Sequence, residues 1–243
     1  MNQKRQQIDT AKSSATAPAA RRKRQAAAAD AGQIRDRDRD RYHHGDLRQA
    51  LVQAGLALAR EGGPAAVVLR EATRRAGVAP NAAYRHFANH QALFDAVRAA
   101  ALGALAQAIE AEMTEAKAIA DPVVRSRALL AAVGRGYLGF ARRETGWFRT
   151  AFASGAHDVA VPTDPARTAA MGLNPYELLT YALDAMQAAG VLPDARRPMA
   201  EFLAWSAVHG MAMLMIDGPL RHVPPEHLQA LGQRLLVMVE QGL

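Results

Sequence analysis

The stretch LREATRRAGVAPNAAYRHF, residues 69–87, reads as two short helices joined by a tight corner. A helix over Leu69–Ala76 stops at Gly77, a residue able to take the positive φ that such a corner demands. Pro80 suits the first turn of the next helix, predicted over Pro80–Phe87, because the N–H it lacks has no intrahelical partner there. Upstream, Asp46 can cap a helix in which Leu47, Leu51, Ala54 and Leu58 share one face and Gly62-Gly63 end the run. Three helices of these lengths fit a helix-turn-helix. The second helix of such a pair enters the major groove of DNA, which admits an α-helix and displays the full base-edge code. Asn81, Tyr84, Arg85 and His86 can reach phosphates or bases from it, and Arg70, Arg74 and Arg75 flank it.

The helical punctuation continues outward. Asn89 caps a fourth helix predicted to run to about Lys117, and Asp121-Pro122 opens another over Val123–Arg142. Thr145 is placed to cap a short helix ending near Ser154-Gly155, and residues 156–171 lack periodicity and read as a loop. Asn174-Pro175 begins a helix closed by Gly190, Pro198 begins the apolar Met199–Asp217 helix, and Pro224-Pro225 begins a last one to about Gln241. No window alternates with a β period. The chain therefore reads as all-α, a three-helix DNA-binding unit followed by a helical bundle.

Charge is distributed unevenly. Of the 243 residues, half are apolar, and the net charge is +7; the mean hydropathy is −0.14 and the isoelectric point near 10.2. That composition buries a core and excludes wholesale disorder. Residues 1–46 hold eleven Lys/Arg against six Asp/Glu, residues 47–100 seven against three, and residues 101–243 twelve against fourteen. An anion-binding end thus precedes a nearly neutral body. Arg21-Arg22-Lys23-Arg24 and the alternating run Arg35–Arg41 lie in a segment with too few large apolar residues to offset the entropy of folding. The expected organisation is a flexible basic tail over 1–41, a helix-turn-helix domain over 42–92 and a helical effector-binding and dimerisation domain over 93–243. No apolar leader precedes the basic segment, and the Phe202–Ile216 run is too short to span a bilayer, so a cytoplasmic protein without membrane attachment is expected. With no cysteine, thiolate catalysis, disulfides and Cys-ligated metals are excluded.

Five blocks carry a resemblance: Tyr42-His43-His44-Gly45-Asp46-Leu47, Leu69-Arg70-Glu71, Ala76-Gly77-Val78, Tyr84-Arg85-His86-Phe87 and Ala92-Leu93-Phe94. Together, with their spacing over about residues 43–100, they resemble the N-terminal domain of tetracycline-repressor (TetR) family regulators. The resemblance implies a homodimeric one-component transcription factor, bound to double-stranded operator DNA, whose body takes a small-molecule effector and needs no cofactor. Tyr84 and His86 would then contact backbone or bases, Asn81 and Ala82 would occupy base-reading positions behind Pro80, and Phe87 would wedge into the core. The chain departs from the family pattern at four places. Val68 and Ala79 replace the usual Ser or Thr ahead of the two short helices, Thr73 replaces a buried small apolar residue, and His90 stands where a phosphate-contacting lysine is common. Trp205-Ser206-Ala207-Val208-His209-Gly210 also resembles the Trp-x-x-x-His-Gly signature of the C-terminal class called WHG.

In the body, Met199–Asp217 is apolar nearly all round and must be covered on both sides. Leu203, Ala207, Gly210 and Leu214 on this helix, with Leu228, Leu231, Leu235 and Met238 on the last, form the expected dimer interface, two helices from each subunit. An effector cavity is expected among residues 123–217, lined by Phe140, Trp147, Phe148, Phe152, Met171, Met186 and Met213, with Tyr137, Gln187 and His209 as polar handles. His157, Asp158 and Asp164 lack metal-ligand spacing, and no catalytic set has sensible geometry. Three readings stay open on sequence alone: a repressor released by a small apolar or amphipathic ligand, a non-specific nucleic-acid-binding protein using its basic tail, and a helical enzyme.

Overall fold

The computed structural model describes residues 47–153 and 164–243. The basic tail and the first half of the expected loop, residues 156–163, lie outside these residues. Residues 50–243 pack as one unit. All regular structure among the described residues is helical. Helix α1 (47–62) is followed by α2 (Leu69–Arg75), α3 (Pro80–Ala83), α4 (His90–Lys117), α5 (Pro122–Arg143), α6 (Thr145–Ala151), α7 (Pro175–Ala188), α8 (Ala200–Ile216) and α9 (Pro225–Gly242).

Local chemistry sets most of these boundaries. Neither α2 nor α3 has a side-chain cap at its start, as Val68 and Ala79 imply. The end of α2 is well closed: Gly77 has φ 69°, its N–H donates to the Arg74 carbonyl (3.2 Å), and the Val78 N–H donates to the Thr73 carbonyl (3.0 Å). That pair is a Schellman motif, which only a residue at ease with positive φ permits. Helix α3 is shorter than predicted. After Ala83 the hydrogen bonds tighten, with His86 N–H donating to the Ala83 carbonyl at 2.9 Å, and residues 84–86 form a turn. Asn89 and Asp121 cap α4 and α5 by accepting from Ala92 N–H and Val124 N–H at 2.9 Å. Asn174 and Glu177 form a reciprocal capping box on α7. Thr145 is not a cap; it is the first residue of α6, and its hydroxyl donates back to the Ala141 carbonyl at 3.0 Å.

The long helices α4 and α5 pair along their length and carry the core. Leu105, Ile109 and Met113 of α4 meet Leu129, Tyr137 and Phe140 of α5, with α6, α7 and α8 closing around them. Helix α4 is apolar and long enough to cross a membrane by length and composition, but over half of its most apolar window is buried inside the protein, as in a core helix. The expected domain boundary after residue 92 falls in its first turn, and α4 continues without interruption.

Helix α6 is seated tightly on α1. The Trp147 indole N–H donates to the Leu56 carbonyl at 2.7 Å, and Arg60 clasps Glu144 with both arms of its guanidinium while lying 4.5 Å over the Trp147 ring. Gly146 permits this approach, since a Cβ there would run into the Ala59 and Arg60 carbonyls. From the same helix Arg149 reaches Asp217 at the end of α8. At the other end of α8, Arg197 joins Asp184 of α7 (2.6 Å) to the buried Glu201 (2.7 Å).

Gly146→Ala is expected to lower stability by about 1–3 kcal/mol through overpacking against α1, a loss that chemical denaturation measures directly. A pH dependence follows from Glu201. Burial works against its ionisation, yet the Arg197 hydrogen bond holds its carboxyl below the usual carboxylate range. The unfolded chain therefore binds this proton more readily than the folded one. Its contribution is complete above the ordinary carboxylate pKa and is lost as pH falls through the lowered folded value. Thermal melts of the wild type and Glu201→Gln should differ most near about pH 7 and draw together as the pH falls below the ordinary carboxylate range.

Candidate functional site

Two surfaces and one cavity concentrate the chemistry. The first surface is the α2–turn–α3 corner. Tyr84 is 58% exposed, an uncommon position for a large ring without an intramolecular role. Pro80, Asn81 and Arg85 are exposed beside it, and Ala82 and His86 are half-buried. Phe87 is buried at the back of the corner, with Ala83. Among the described residues, Arg70 and Arg85 have no carboxylate partner, whereas Arg74 is held by Glu71 (2.5 Å) and Arg75 by Glu61 (2.9 Å). Those hydrogen bonds hold the Glu61 and Glu71 carboxyls below the usual range. The cationic groups of the corner thus divide into two with donors available and two already paired. His90 is exposed at the start of α4, but its Nε2–H donates to the Val67 carbonyl at 2.6 Å and its ring stacks near Phe94. Thr73 is buried, with its hydroxyl donating to the Arg70 carbonyl at 2.7 Å.

The cavity, about 350 Å³, lies between α4, α5, α6, α7, α8 and α9. Among its wall residues the Tyr137 hydroxyl accepts from the Trp205 indole N–H at 3.1 Å and shares a hydrogen bond with His209 Nδ1 at 2.8 Å. Burial holds this hydroxyl well above the ordinary tyrosine range, with the Trp205 hydrogen bond offsetting part of the rise. Around it Phe148, Phe152, Trp205 and His209 form a continuous aromatic cluster, Phe148 to Phe152 at 4.8 Å and Phe152 to His209 at 4.9 Å between centroids.

Of the residues expected to line a cavity, Tyr137 and Phe152 do so. His209 stands behind Tyr137. Phe140, Phe148 and Met186 are sealed core, and Trp147 faces α1. The Met171 sulfur accepts from the Lys117 ammonium at 2.8 Å, Gln187 donates to Asp194 at 2.9 Å, and Met213 is exposed. The wall instead includes Arg98 and Leu102 from α4, Leu130 and Val133 from α5, Arg167, Asn174, Tyr176 and Trp205. Arg98 was legible as one of two charges, with Asp95, in the apolar run from Leu93 to Leu105; the others carry no sequence signal that separates wall from core.

The second surface is an uncovered apolar face. On α8, Leu203 is 62% and Leu214 45% exposed, Ala207 is half-buried, and at Gly210 a side chain would meet open space. On α9, Leu231 and Met238 are exposed, but Leu228 is buried against Met211 and Met215 and Leu235 is half-buried in the same cluster. The α9 stripe read from sequence is therefore split between this face and the core of the chain itself. No group of three or more metal-ligating side chains gathers among the described residues.

The comparisons with known proteins agree with this geometry. Residues 51–97 match the family model described as bacterial regulatory proteins of the TetR family, and residues 130–239 match one described as a tetracycline-repressor-like C-terminal domain. A solved structure of a protein of unknown function from Rhodococcus sp. RHA1 superposes with a TM-score of 0.63 at 26% identity, covering 83% of this chain and 97% of that one. A candidate transcription regulator from Lactobacillus plantarum matches with a TM-score of 0.41 at 17% identity, over 77% of this chain and 97% of that one. No curated protein matches. With a helix-turn-helix corner presenting Tyr84 and Arg85, a helical body behind it, and both parts matched in order, the chain belongs to the TetR family of DNA-binding transcriptional regulators.

Proposed function

We infer that this regulator is a cytoplasmic homodimeric repressor, released from operator DNA when a small apolar or amphipathic molecule enters the cavity, and that it acts by binding and not by catalysis. The observation that carries the reading is that the cavity wall is built in part from the two helices that hold the DNA-binding corner. Arg98 and Leu102 belong to α4, whose first turn holds the segment before α2 through His90. Ala151 and Phe152 close α6, whose other side is seated on α1. An occupant that spreads this wall displaces the corner. Two recognition elements of a dimer must stand about 34–36 Å apart to enter successive grooves, so a small displacement penalises the bound state. A coupling of about 1–3 kcal/mol suffices.

The uncovered face of α8 and α9 supports the dimer. Its exposed leucines recur at helical spacing, and Gly210 and Ala207 leave room for a helix of a second subunit to approach closely. Arg70, Tyr84 and Arg85, with Asn81 and Ala82 at the base-reading positions, are the DNA contacts this reading assigns. Arg74 and Arg75 contribute only by exchanging their carboxylate partners for phosphates.

Fluorescence anisotropy on the upstream DNA of its own gene tests the assignment. A palindromic segment should bind on the order of a thousandfold tighter than scrambled DNA. Tyr84→Ala and Arg85→Ala should each weaken that binding at least tenfold while the dimer persists, and Arg85→Ala should reduce the salt slope by about one. Equal affinity for scrambled DNA would make the protein a non-specific binder. Leu203→Glu combined with Leu214→Glu should convert the dimer to a monomer in sedimentation velocity and abolish palindrome binding, while the helical circular dichroism is retained.

A further inference from the structure

We propose that the cavity takes an amphipathic molecule bearing one carboxylate, with the carboxylate gripped by Arg98 and Arg167 and the apolar body lying toward Trp205. The proposal rests on reading the cavity as the regulatory site, and it names the class of ligand.

Arg98 is a charge in an apolar stretch of α4, and its side chain is only 10% exposed. Among the described residues its guanidinium has one ion pair, to Asp95 at a long 3.4 Å, and no hydrogen bond. Asp95 is itself half in solvent and already accepts from the Gln91 amide at 3.0 Å. A guanidinium carries five donors and does not lose its proton in proteins, so burying it with so few acceptors is costly.

Arg167 repeats the anomaly on the same wall. The turn that carries it, Pro165–Arg167, is pressed onto α4 at Gly103, where a Cβ would run into the Ala166 carbonyl. Gly103 lies five positions beyond Arg98 on that helix. The Arg167 Nε–H is buried and donates no hydrogen bond; the Asp164 carboxylate stands 3.9 Å away and accepts instead from Ala166 N–H at 3.0 Å. The other charges on the wall are engaged, Arg135 by Glu112, Glu240 by Arg127, and Asp164 by the Ala166 N–H and, at 3.9 Å, by Arg167 itself. The donors left over are therefore cationic, and they come from two arginines on adjoining elements.

Planar guanidiniums take carboxylates in a bidentate fork, so the unmet donors select an anion of that shape. Elsewhere on the wall Leu102, Val133, Phe152 and Val208 favour an apolar body. A carboxylate between Arg98 and Arg167 also draws α4 and its docked turn toward the ligand, which gives occupancy a direct hold on the helix that carries His90.

The test uses the full chain, with decanoate, decanol and decylamine as probes of equal apolar length, followed by tryptophan fluorescence and calorimetry, and with release of the bound palindrome measured in parallel. Decanoate should bind at least about tenfold tighter than decanol, and decylamine should bind weakest. Arg167→Gln and Arg98→Gln should each lower decanoate affinity about tenfold or more and leave decanol affinity within about twofold. If the buried Arg98→Gln fails to fold, Arg167→Gln decides alone, because its turn lies at the surface. Equal binding of decanoate and decanol, equal losses for both in the variants, or no binding of any probe would overturn the proposal. Release of DNA by decanol and decylamine as readily as by decanoate would overturn it while leaving ligand-released repression standing. Tight decanoate binding with the same variant losses and no release would uphold the anion site and defeat the release mechanism.

Discussion

The indole N–H of Trp147 donating to the Leu56 carbonyl, under the Arg60 guanidinium, is the contact that seats α6 of the body on α1. Its geometry depends on Gly146, which brings two helical backbones closer than any side chain allows. Because α6 is only seven residues long, its two faces are coupled: Gly146 and Trp147 belong to α1, while Phe148 and Phe152 belong to the aromatic cluster around Tyr137. Close-packed interfaces of this kind change by discrete repacking and do not deform smoothly.

The interior distinguishes polar groups that are satisfied from those that are not. Tyr137, Trp205 and His209 meet each other's donors and acceptors, and Ser126 and Thr150 return their hydroxyls to backbone carbonyls of their own helices. Glu201 is buried but clasped by Arg197. Against this background Arg98 and Arg167 stand apart: Arg98 is nearly buried with one long ion pair to Asp95, and the Nε–H of the partly exposed Arg167 is buried without a hydrogen bond. An apolar core does not tolerate such groups without a reason, and here both face the same space.

Much of the fold was legible because its boundaries are made by short-range chemistry. Asn89, Asp121 and Asn174 accept the hydrogen bonds expected of caps, and Gly77 and Gly190 take positive φ where helices end. What was not legible depends on tertiary partners. The turn after Ala83 replaces the expected continuation of α3 because Phe87 is drawn into the core, and nothing local in Tyr84-Arg85-His86 announces it. The cavity wall is the harder case. Phe140, Phe148 and Met186 have the same composition signature as wall residues and turn out to be sealed, while Tyr176 and Leu179 line the space. Periodicity reports that a residue faces inward; whether it meets another side chain or a void is decided by the facing helices. On α9 the same ambiguity separates Leu228, which is core, from Leu231, which is not.

The departures from the family pattern are connected by the structure. Val68 leaves the start of α2 without a side-chain cap, and the residue before it, Val67, is buried with its carbonyl accepting from His90 at 2.6 Å. A lysine at position 90 would hold a flexible point charge toward solvent; histidine instead presents a rigid ring that reaches back across the uncapped entrance and stacks near Phe94. The first turn of α4 is thereby linked to the segment that leads into α2. The corner is then held at two points, α1 by α6 and the entrance of α2 by α4, and both holding helices line the cavity.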